Sequence, residues 1–203
     1  MIDYRKEGCI NLIHVSGLRE YPSTLMGYKI IIYGGFNIMA IITWCSGEIP
    51  ANLKVNQVYG LIFSSDGRML LRIEDNKYKL AGGRPEEYDA DMEATLKREL
   101  LEEVNVVIGT AYMVGYQLVD EENGSIPYAQ VRMAAVIENI GPSKPDSDNG
   151  RIYGRFLTPP TKVPQLLNWG QVGHDQVTDA VEVARKFLGI TTHSDEDTII
   201  SEN

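Results

Sequence analysis

Cysteine and histidine are scarce in this chain, which excludes several classes of protein. Only Cys9 and Cys45 are cysteines among 203 residues, and only three residues are histidines. The two cysteines stand far apart, so neither a disulfide framework nor a cysteine-ligated metal site is expected. Such sparse usage is typical of a reducing compartment, and we predict a cytoplasmic protein.

Long hydrophobic runs are also missing. The most apolar stretch, residues 30–45, is interrupted by Gly34, Gly35 and Asn37, and it is too short to span a bilayer. It also begins too far into the chain to be a signal peptide. The sequence therefore predicts a soluble protein with no membrane partner.

Positive charge is in deficit, because 19 lysines and arginines stand against 28 aspartates and glutamates, giving a net charge of -9. Binding to nucleic acid needs clustered cations, so nucleic acid is not expected as a partner. A small phosphorylated ligand held through metal ions is compatible with this charge. The hydrophobic content of 43% is enough to fill the core of one domain.

The order of strand and helix signals predicts a mixed α/β or α+β fold. Two helices are predicted, one beginning at Asp91 and one at residues 176–188. The acidic tail, residues 191–203, is predicted to be disordered. Strands are predicted from alternating or β-branched segments at residues 41–44, 55–64, 69–73, 78–80, 111–119, 130–137 and 151–157.

Residues 1–38 show little periodicity and differ from the rest of the chain. Gly34 and Gly35 precede Met39 at a distance where two purine-rich glycine codons would resemble a bacterial ribosome-binding site. Our hypothesis is that Met39 is the native first residue and that residues 1–38 are an over-extended gene prediction. The alternative is a genuine N-terminal arm, exchanged between the subunits of a homodimer. The intact mass of the native protein distinguishes the two.

The stretch "DMEATLKRELLEEVN", residues 91–105, predicts an amphipathic helix with capped ends. Asp91 is a good N-cap, and Asn105 suits a left-handed C-terminal cap. The buried face is predicted from apolar residues that recur every four positions: Met92, Leu96, Leu100 and Val104.

The same helix crowds carboxylates onto one flank. Glu99, Glu102 and Glu103 fall together there, although like charges at this spacing cost a few tenths of a kcal/mol for each pair. Their oxygens are hard ligands that suit Mg²⁺ or Mn²⁺. Arg98 can hold one of the carboxylates by a forked hydrogen bond, or meet a substrate phosphate. The alternative is a solvated helix face with no ligand.

A glycine pair at the end of a predicted strand favours a ligand site over a plain solvated face. Gly82 and Gly83 lie fifteen to sixteen residues before Arg98. Glycine lets the backbone turn tightly and approach a ligand.

Together these residues resemble the signature of the Nudix hydrolases, which act on a nucleoside diphosphate linked to a moiety X. The second half of that signature matches residues 98–106, "RELLEEVNV". The sequence departs from it twice. The spacing from Gly83 to Arg98 is one residue too long, so Asp89 rather than Ala90 would take the place of the first glutamate. Asn105 stands where the final glycine belongs.

The resemblance implies a fold, a reaction and a set of roles. It implies an α/β/α sandwich with a mixed sheet over residues 39–190, and metal-dependent hydrolysis of a diphosphate bond in a small nucleotide. Glu99, Glu102 and Glu103 would bind Mg²⁺, with Mn²⁺ as an alternative, and Arg98 would orient them. The general base would be one of these glutamates or a loop carboxylate such as Glu121 or Glu122.

Substrate contacts are expected from strand faces near the site. Tyr128, Gln130 and Arg132 share one face of a predicted strand, whose other face carries core residues: Ala129, Val131, Met133 and Ala135. Gln57 and Tyr59 are equivalent candidates on an earlier strand, and Gly82 and Gly83 complete the set. The alternative is that these are ordinary strand residues at the solvent face. The segment 168–170, "NWG", is a further candidate to shape the pocket.

A second functional class is a catalytically silent Nudix-like domain that binds a nucleotide as a sensor. The shifted loop before the helix favours it, whereas the complete set of metal-ligand candidates favours an enzyme.

Overall fold

The structure, a computed structural model, describes residues 29–34, 37–121 and 123–201. These residues form one mixed sheet and three helices. The helices are α1 (Met92–Val104), α2 (Val163–Leu167) and α3 (Gly170–Phe187). The strands are β1 (Lys29–Gly34), β2 (Asn37–Ser46), β3 (Lys54–Phe63), β4 (Met69–Glu74), β5 (Lys77–Lys79), β6 (Gly82–Gly83), β7 (Val106–Ile108), β8 (Tyr112–Asp120), β9 (Tyr128–Ile140), β10 (Gly154–Thr158) and β11 (Thr198–Ile199).

The sheet is mixed because β3 and β9 run parallel at its centre. The main path of the sheet runs β1-β2-β8-β9-β3-β4-β10-β11, and β5, β6 and β7 pair beside it. Parallel neighbours require a long crossover connection, and here that connection contains α1. The crossover therefore delivers the acidic helix to one face of the sheet, next to β3.

Two apolar cores lie on opposite faces of the sheet. Val58 and Ile62 of β3 pack in the core that contains Leu96 and Leu100 of α1. Alternate residues of β3, with Leu61 as an example, point into the other core beneath α2 and α3. The predicted α/β/α sandwich is confirmed, and so is the core face of β9, whose four predicted residues all join the α1 core: Ala129, Val131, Met133 and Ala135.

Helix α1 has the predicted caps. The Asp91 carboxylate accepts a hydrogen bond from the Ala94 N–H at 2.8 Å. Asn105 adopts the left-handed conformation with φ 50° and ψ 50°, and its N–H bonds to the Leu100 carbonyl. The predicted stripe is buried at three of its positions, Leu96, Leu100 and Val104, and Met92 packs against the same core at the fourth.

The last helix begins earlier than predicted. Helix α3 starts at Gly170 rather than Gln176. Gly170 and Gly173 have low helix propensity and concealed the first turns. A Cβ atom at Gly173 would lie 3.1 Å from the Trp169 side chain, so this glycine allows the helix to pack closely on the preceding segment.

The tail prediction was wrong for residues 191–201. Strand β11 pairs with β10 at the edge of the sheet. The Thr158 hydroxyl donates to Asp197 at 2.7 Å, and Lys162 forms an ion pair with the same carboxylate at 2.8 Å. The acidic composition of the tail suggested disorder. It could not reveal these contacts, because the partners lie in distant segments of the chain.

The hypothesis about Met39 stays a prediction, since most of residues 1–38 lie outside the described residues. In the described part of this segment, β1 pairs antiparallel with β2, and β2 begins at Asn37. None of the helices in the described part of the chain is long and apolar enough to cross a membrane.

Candidate functional site

The glycine pair lies at the edge of β3, where side chains would not fit. Gly82 and Gly83 pair antiparallel with Tyr59 and Val58. Gly82 has φ +141°, and a Cβ atom there would lie 2.2 Å from the Val58 carbonyl oxygen. Only glycine accommodates both this conformation and this approach.

Gly83 brings the loop against the acidic helix. A Cβ atom at Gly83 would lie between 2.4 and 2.6 Å from the carboxylate atoms of Glu99. The Glu99 carboxylate therefore rests on the bare backbone of Gly83. The structure thus brings together two features that the sequence separates by sixteen positions.

Arg98 organises the carboxylates. Its Nη1 atom donates to Glu99 and to Glu102, both at 3.0 Å. Its Nε and Nη2 atoms form a fork onto Asp89 at 3.1 and 2.9 Å, and Nη2 also donates to the Arg84 carbonyl at 2.8 Å. One guanidinium therefore holds three carboxylates, two of them through a single nitrogen.

These contacts shift the pKa values of both partners. The hydrogen bonds from Arg98 lower the pKa of Asp89 from 3.8 to about 2. The same bonds, together with the neighbouring glutamates, raise the pKa of Arg98. The extra residue of the loop is accommodated as expected, because Asp89 rather than Ala90 faces Arg98.

Glu103 has a different environment from its neighbours. It is 8% exposed, and its Oε2 accepts a hydrogen bond from the Gly82 N–H at 2.9 Å. Its Oε1 forms an ion pair with Arg72 of β4. Glu103 therefore ties α1 to the glycine pair and to the neighbouring strand.

Burial raises the pKa of Glu99, and the adjacent Arg98 partly offsets this effect. The negative charges of Glu102 and Asp148 raise it further. Asp148 lies in the loop between β9 and β10, where the Asp146 carboxylate accepts its N–H at 2.8 Å. Sequence reasoning missed Asp148; the acidic run "DSD" at residues 146–148 is the signal that could have pointed to it.

The carboxylates of Glu99 and Glu102 suit a hard divalent cation, whereas that of Glu103 is already engaged by other groups. Glu99 and Glu102 present carboxylate oxygens around one cationic nitrogen, the arrangement from which a metal could displace the guanidinium. Both oxygens of Glu103 are engaged, so it could join only if Arg72 released it. Within residues 29–34, 37–121 and 123–201, no three His, Cys, Asp or Glu side chains already converge as a metal site.

A cleft of about 1210 Å³ opens on the face of the sheet that α2 and α3 cover, and it meets the cluster at Gly82 and Arg72, the two partners of Glu103. Four predicted substrate residues line it: Gly82, Tyr59, Gln130 and Arg132. The predicted segment 168–170 lines it as well. Gln57 and Gly83 are not among its lining residues, although Gln57 lies beside Gln130 in the sheet.

Arg132 is buried in the cleft wall rather than placed at the solvent face. It is 1% exposed, and its Nε and Nη2 atoms donate to Gln176 at 2.8 Å and to Gln117 at 2.7 Å. Burial lowers the pKa of Arg132 to about 10. Neither glutamine was a candidate in the sequence, because β8 and α3 bring them to Arg132 from distant positions.

The candidate loop bases are placed less favourably. Glu121 accepts hydrogen bonds from the Tyr128 hydroxyl at 3.2 Å and from Asn123 at 3.1 Å. Glu122 lies outside the described residues. Glu121 is therefore engaged with these two partners, whereas the negative charge of Asp148 raises the pKa of Glu99.

No protein-family profile and no curated protein matches the sequence. Solved structures do match the fold. A variant of the Bacillus subtilis pyrophosphohydrolase BsRppH is 17% identical with a TM-score of 0.58, over 76% of this chain and 96% of that one. A Nudix hydrolase from Nitrosomonas europaea is 14% identical with a TM-score of 0.50, over 70% of this chain and 97% of that one. The chain therefore has the fold of the Nudix hydrolases.

Proposed function

We propose that this protein is a metal-dependent hydrolase that cleaves a diphosphate bond in a nucleoside diphosphate derivative. The observation that carries the proposal is the geometry around Arg98, where Glu99 and Glu102 share one nitrogen beside the bare backbone of Gly83. The fold supports it, since the two solved relatives carry the names pyrophosphohydrolase and Nudix hydrolase.

Glu99 and Glu102 would hold the metal, with Glu103 as a third ligand when Arg72 turns to its other partner, Glu74, 3.3 Å away. Mg²⁺ is the metal that this donor set favours, and Mn²⁺ has similar chemistry. Such a metal neutralises phosphate charge and lowers the pKa of a bound water molecule.

Arg98 acts as a positioning residue. It holds Glu99 and Glu102 at equal distances, while its fork onto Asp89 fixes the guanidinium plane. Glu99 and Glu102 are therefore already close together when a metal displaces the guanidinium, which limits the rearrangement that metal binding requires.

Arg72 would contact the diphosphate. Its side chain lines the cleft and also pairs with Glu103 of the acidic helix, so it lies where the two regions meet. Its Nε atom is buried and has no hydrogen-bond partner in the part of the chain that the structure describes. A phosphate oxygen would satisfy this donor.

Asp148 is the loop carboxylate that we assign to activation of the water molecule. Its charge acts on Glu99, whereas Glu121 is engaged with Tyr128 and Asn123. Removal of Asp148 would therefore slow turnover at neutral pH more than removal of Glu121 would.

The nucleoside would enter the cleft. Tyr59 and Trp169 offer aromatic surfaces there, and Gln130 offers an amide. The ligand that we propose for this cleft is a small-molecule nucleotide. A cytoplasmic protein would meet such substrates directly.

The decisive experiment uses Glu102→Gln, because Glu102 contacts Arg98 and has no tie to the glycine pair. Wild-type protein is incubated with Mg²⁺ and a panel of nucleoside triphosphates, nucleotide sugars, ADP-ribose and dinucleoside polyphosphates. We expect one class to be cleaved, and kcat to fall about 10²- to 10³-fold in the variant, since a bound metal supplies several kcal/mol of transition-state stabilisation. Chromatography of the products measures both.

The matched control is Glu93→Gln, on the same helix but paired with Lys97 at the surface. It should retain the wild-type rate. Equal loss in both variants would contradict the assigned site. Nucleotide binding without turnover by the wild type across the panel would contradict the hydrolase and indicate a sensor.

A further inference from the structure

The residues that line the cleft under α2 and α3 differ in charge from the protein as a whole. Among the described residues that line it there is no aspartate or glutamate, although the chain as a whole carries a net charge of -9. Four of its lining residues are cationic: Arg72, Lys77, Lys79 and Arg132. Arg72 and Lys79 form ion pairs with Glu74, whereas Lys77 and Arg132 have no carboxylate partner among the described residues. A surface of this kind attracts an anion.

Arg132 is the strongest of these observations. It is buried, and no carboxylate of the described residues forms an ion pair with it. A buried, unpaired charge costs several kcal/mol, so proteins normally provide a counter-charge. Here the partners within the chain are the neutral amides of Gln117 and Gln176 and two backbone carbonyls, of Gln130 and Val131. The missing counter-charge points to a ligand.

The surrounding amides are turned so that donors face away from Arg132. A guanidinium has donors and no acceptor, so the amide oxygens of Gln117 and Gln176 must face it. Gln176 directs its amide nitrogen to the Val172 carbonyl at 3.0 Å. Gln117 lines the cleft, where its amide nitrogen could donate to a ligand.

Aromatic rings exclude water from the guanidinium. The Arg132 guanidinium carbon lies 4.8 Å from the centre of the Tyr59 ring and 5.5 Å from that of Trp169. Low local polarity strengthens the attraction between this charge and an anion placed nearby. The two rings also limit how far the side chain can move.

We propose that the cleft binds an anionic group of the substrate, a phosphate or a carboxylate, in addition to the diphosphate that is cleaved. The proposal rests on the proposed function, because it takes the diphosphate of the substrate to lie at Arg72, between the cleft and the carboxylates of α1. It narrows the substrate class: moiety X, or the nucleoside itself, carries a further negative charge. Arg132 and Gln117 select for that charge.

The test measures anion binding with EDTA present, so that metal-dependent hydrolysis plays no part. Inorganic phosphate and acetate are titrated separately into the protein, and tryptophan fluorescence reports binding because Trp169 lies over Arg132. The comparison is between wild type and Arg132→Gln. We expect phosphate affinity, acetate affinity or both to fall about 10- to 100-fold, as for a lost charge-assisted hydrogen bond.

Two variants provide the controls. Arg185→Gln makes the same chemical change on the exposed last turn of α3, outside the cleft, and should leave anion affinity unchanged. Arg132→Lys keeps the charge and should recover part of the affinity. The anion whose affinity depends on Arg132 identifies the group as a phosphate or a carboxylate. Equal affinity in wild type and Arg132→Gln for both anions would overturn the proposal.

Lys77→Gln keeps the proposal falsifiable if Arg132→Gln does not fold. Lys77 is an exposed lining residue, so its replacement should not disturb the core, and we expect a two- to threefold loss of anion affinity. No loss would count against a cationic cleft.

Kinetics separate the failure of this proposal from failure of the proposed function. With the substrate identified by the Mg²⁺ panel, Arg132→Gln should raise KM with little change in kcat, whereas Glu102→Gln lowers kcat. Arg132-dependent anion binding without hydrolysis of any panel compound would sustain the anion site and refute the hydrolase. Hydrolysis of a panel compound with an unchanged KM in Arg132→Gln would sustain the hydrolase and refute the anion site.

Discussion

Arg98 and Arg132 are both largely removed from water, yet their surroundings are opposite. Arg98 contacts the carboxylates of Asp89, Glu99 and Glu102, and its pKa is raised. Arg132 contacts amides, backbone carbonyls and aromatic rings, and burial lowers its pKa to about 10.

The difference indicates what each region lacks. Around Arg98 one positive charge faces three negative ones, which leaves an excess that a divalent cation could balance. Around Arg132 the positive charge is unbalanced, which leaves a place for an anion. A metal-bound diphosphate carrying a further anionic group satisfies both regions at once.

The largest expected effect tests this difference directly. Replacement of Arg98 by Gln leaves three carboxylates close together without their counter-charge, so the free energy of unfolding should fall by about 3–5 kcal/mol. Replacement of Arg132 by Gln removes a charge that had no carboxylate partner and should cost about 1–3 kcal/mol, from lost hydrogen bonds. Urea unfolding in EDTA measures both.

Added Mg²⁺ sharpens the same comparison. A divalent cation can take the place of the missing guanidinium, so Mg²⁺ should raise the stability of Arg98→Gln more than that of the wild type. It should have no such selective effect on Arg132→Gln. Equal costs for the two substitutions, with or without metal, would show that the charge surroundings do not matter as described.

The two adjacent glycines should respond differently to alanine. Gly82→Ala forces a side chain into a left-handed backbone conformation and against the Val58 carbonyl, so it should lower the free energy of unfolding by about 1–3 kcal/mol. Gly83→Ala meets the flexible end of Glu99, which can move aside. It should therefore lower turnover while leaving thermal stability nearly unchanged. Similar losses of stability in both variants would contradict this view of the site.

The smallest expected effect concerns Asp89. Because its pKa in the folded protein is about 2 rather than 3.8, the charged form stabilises the fold above about pH 4, and this contribution is lost as the pH falls toward 2. Asp89→Asn should be less stable than wild type by about 1 kcal/mol at pH 7, because it weakens the hydrogen bonds to Arg98, which keeps Glu99 and Glu102 as partners.

The stability difference between Asp89→Asn and wild type should shrink from pH 4 to pH 2. Chemical unfolding at several pH values measures it, with Glu86→Gln in the same exposed loop as the control. A difference that stayed constant down to pH 2 would mean that Asp89 acts through something other than its charge.

Local patterns predicted the elements that depend on neighbouring residues. The caps of α1, its buried stripe and the alternation of β9 follow from spacing within one segment, and each of these predictions is confirmed. The start of α3 failed because glycines at its first turns serve packing against Trp169. The tail failed because Asp197 and Thr198 find partners more than thirty positions away.

The sequence by itself determined the acidic helix, because an amphipathic helix requires only a 3.6-residue period of apolar residues. It also determined that the backbone at Gly82 and Gly83 can approach other groups closely, because glycine has no side chain. Tertiary structure decided how the charges combine. The crossover between parallel β3 and β9 laid Glu99 on Gly83, and the register of β8, β9 and α3 surrounded Arg132 with amides instead of carboxylates. Charge pairing depends on distance in space, and a single sequence encodes that distance only through the whole fold.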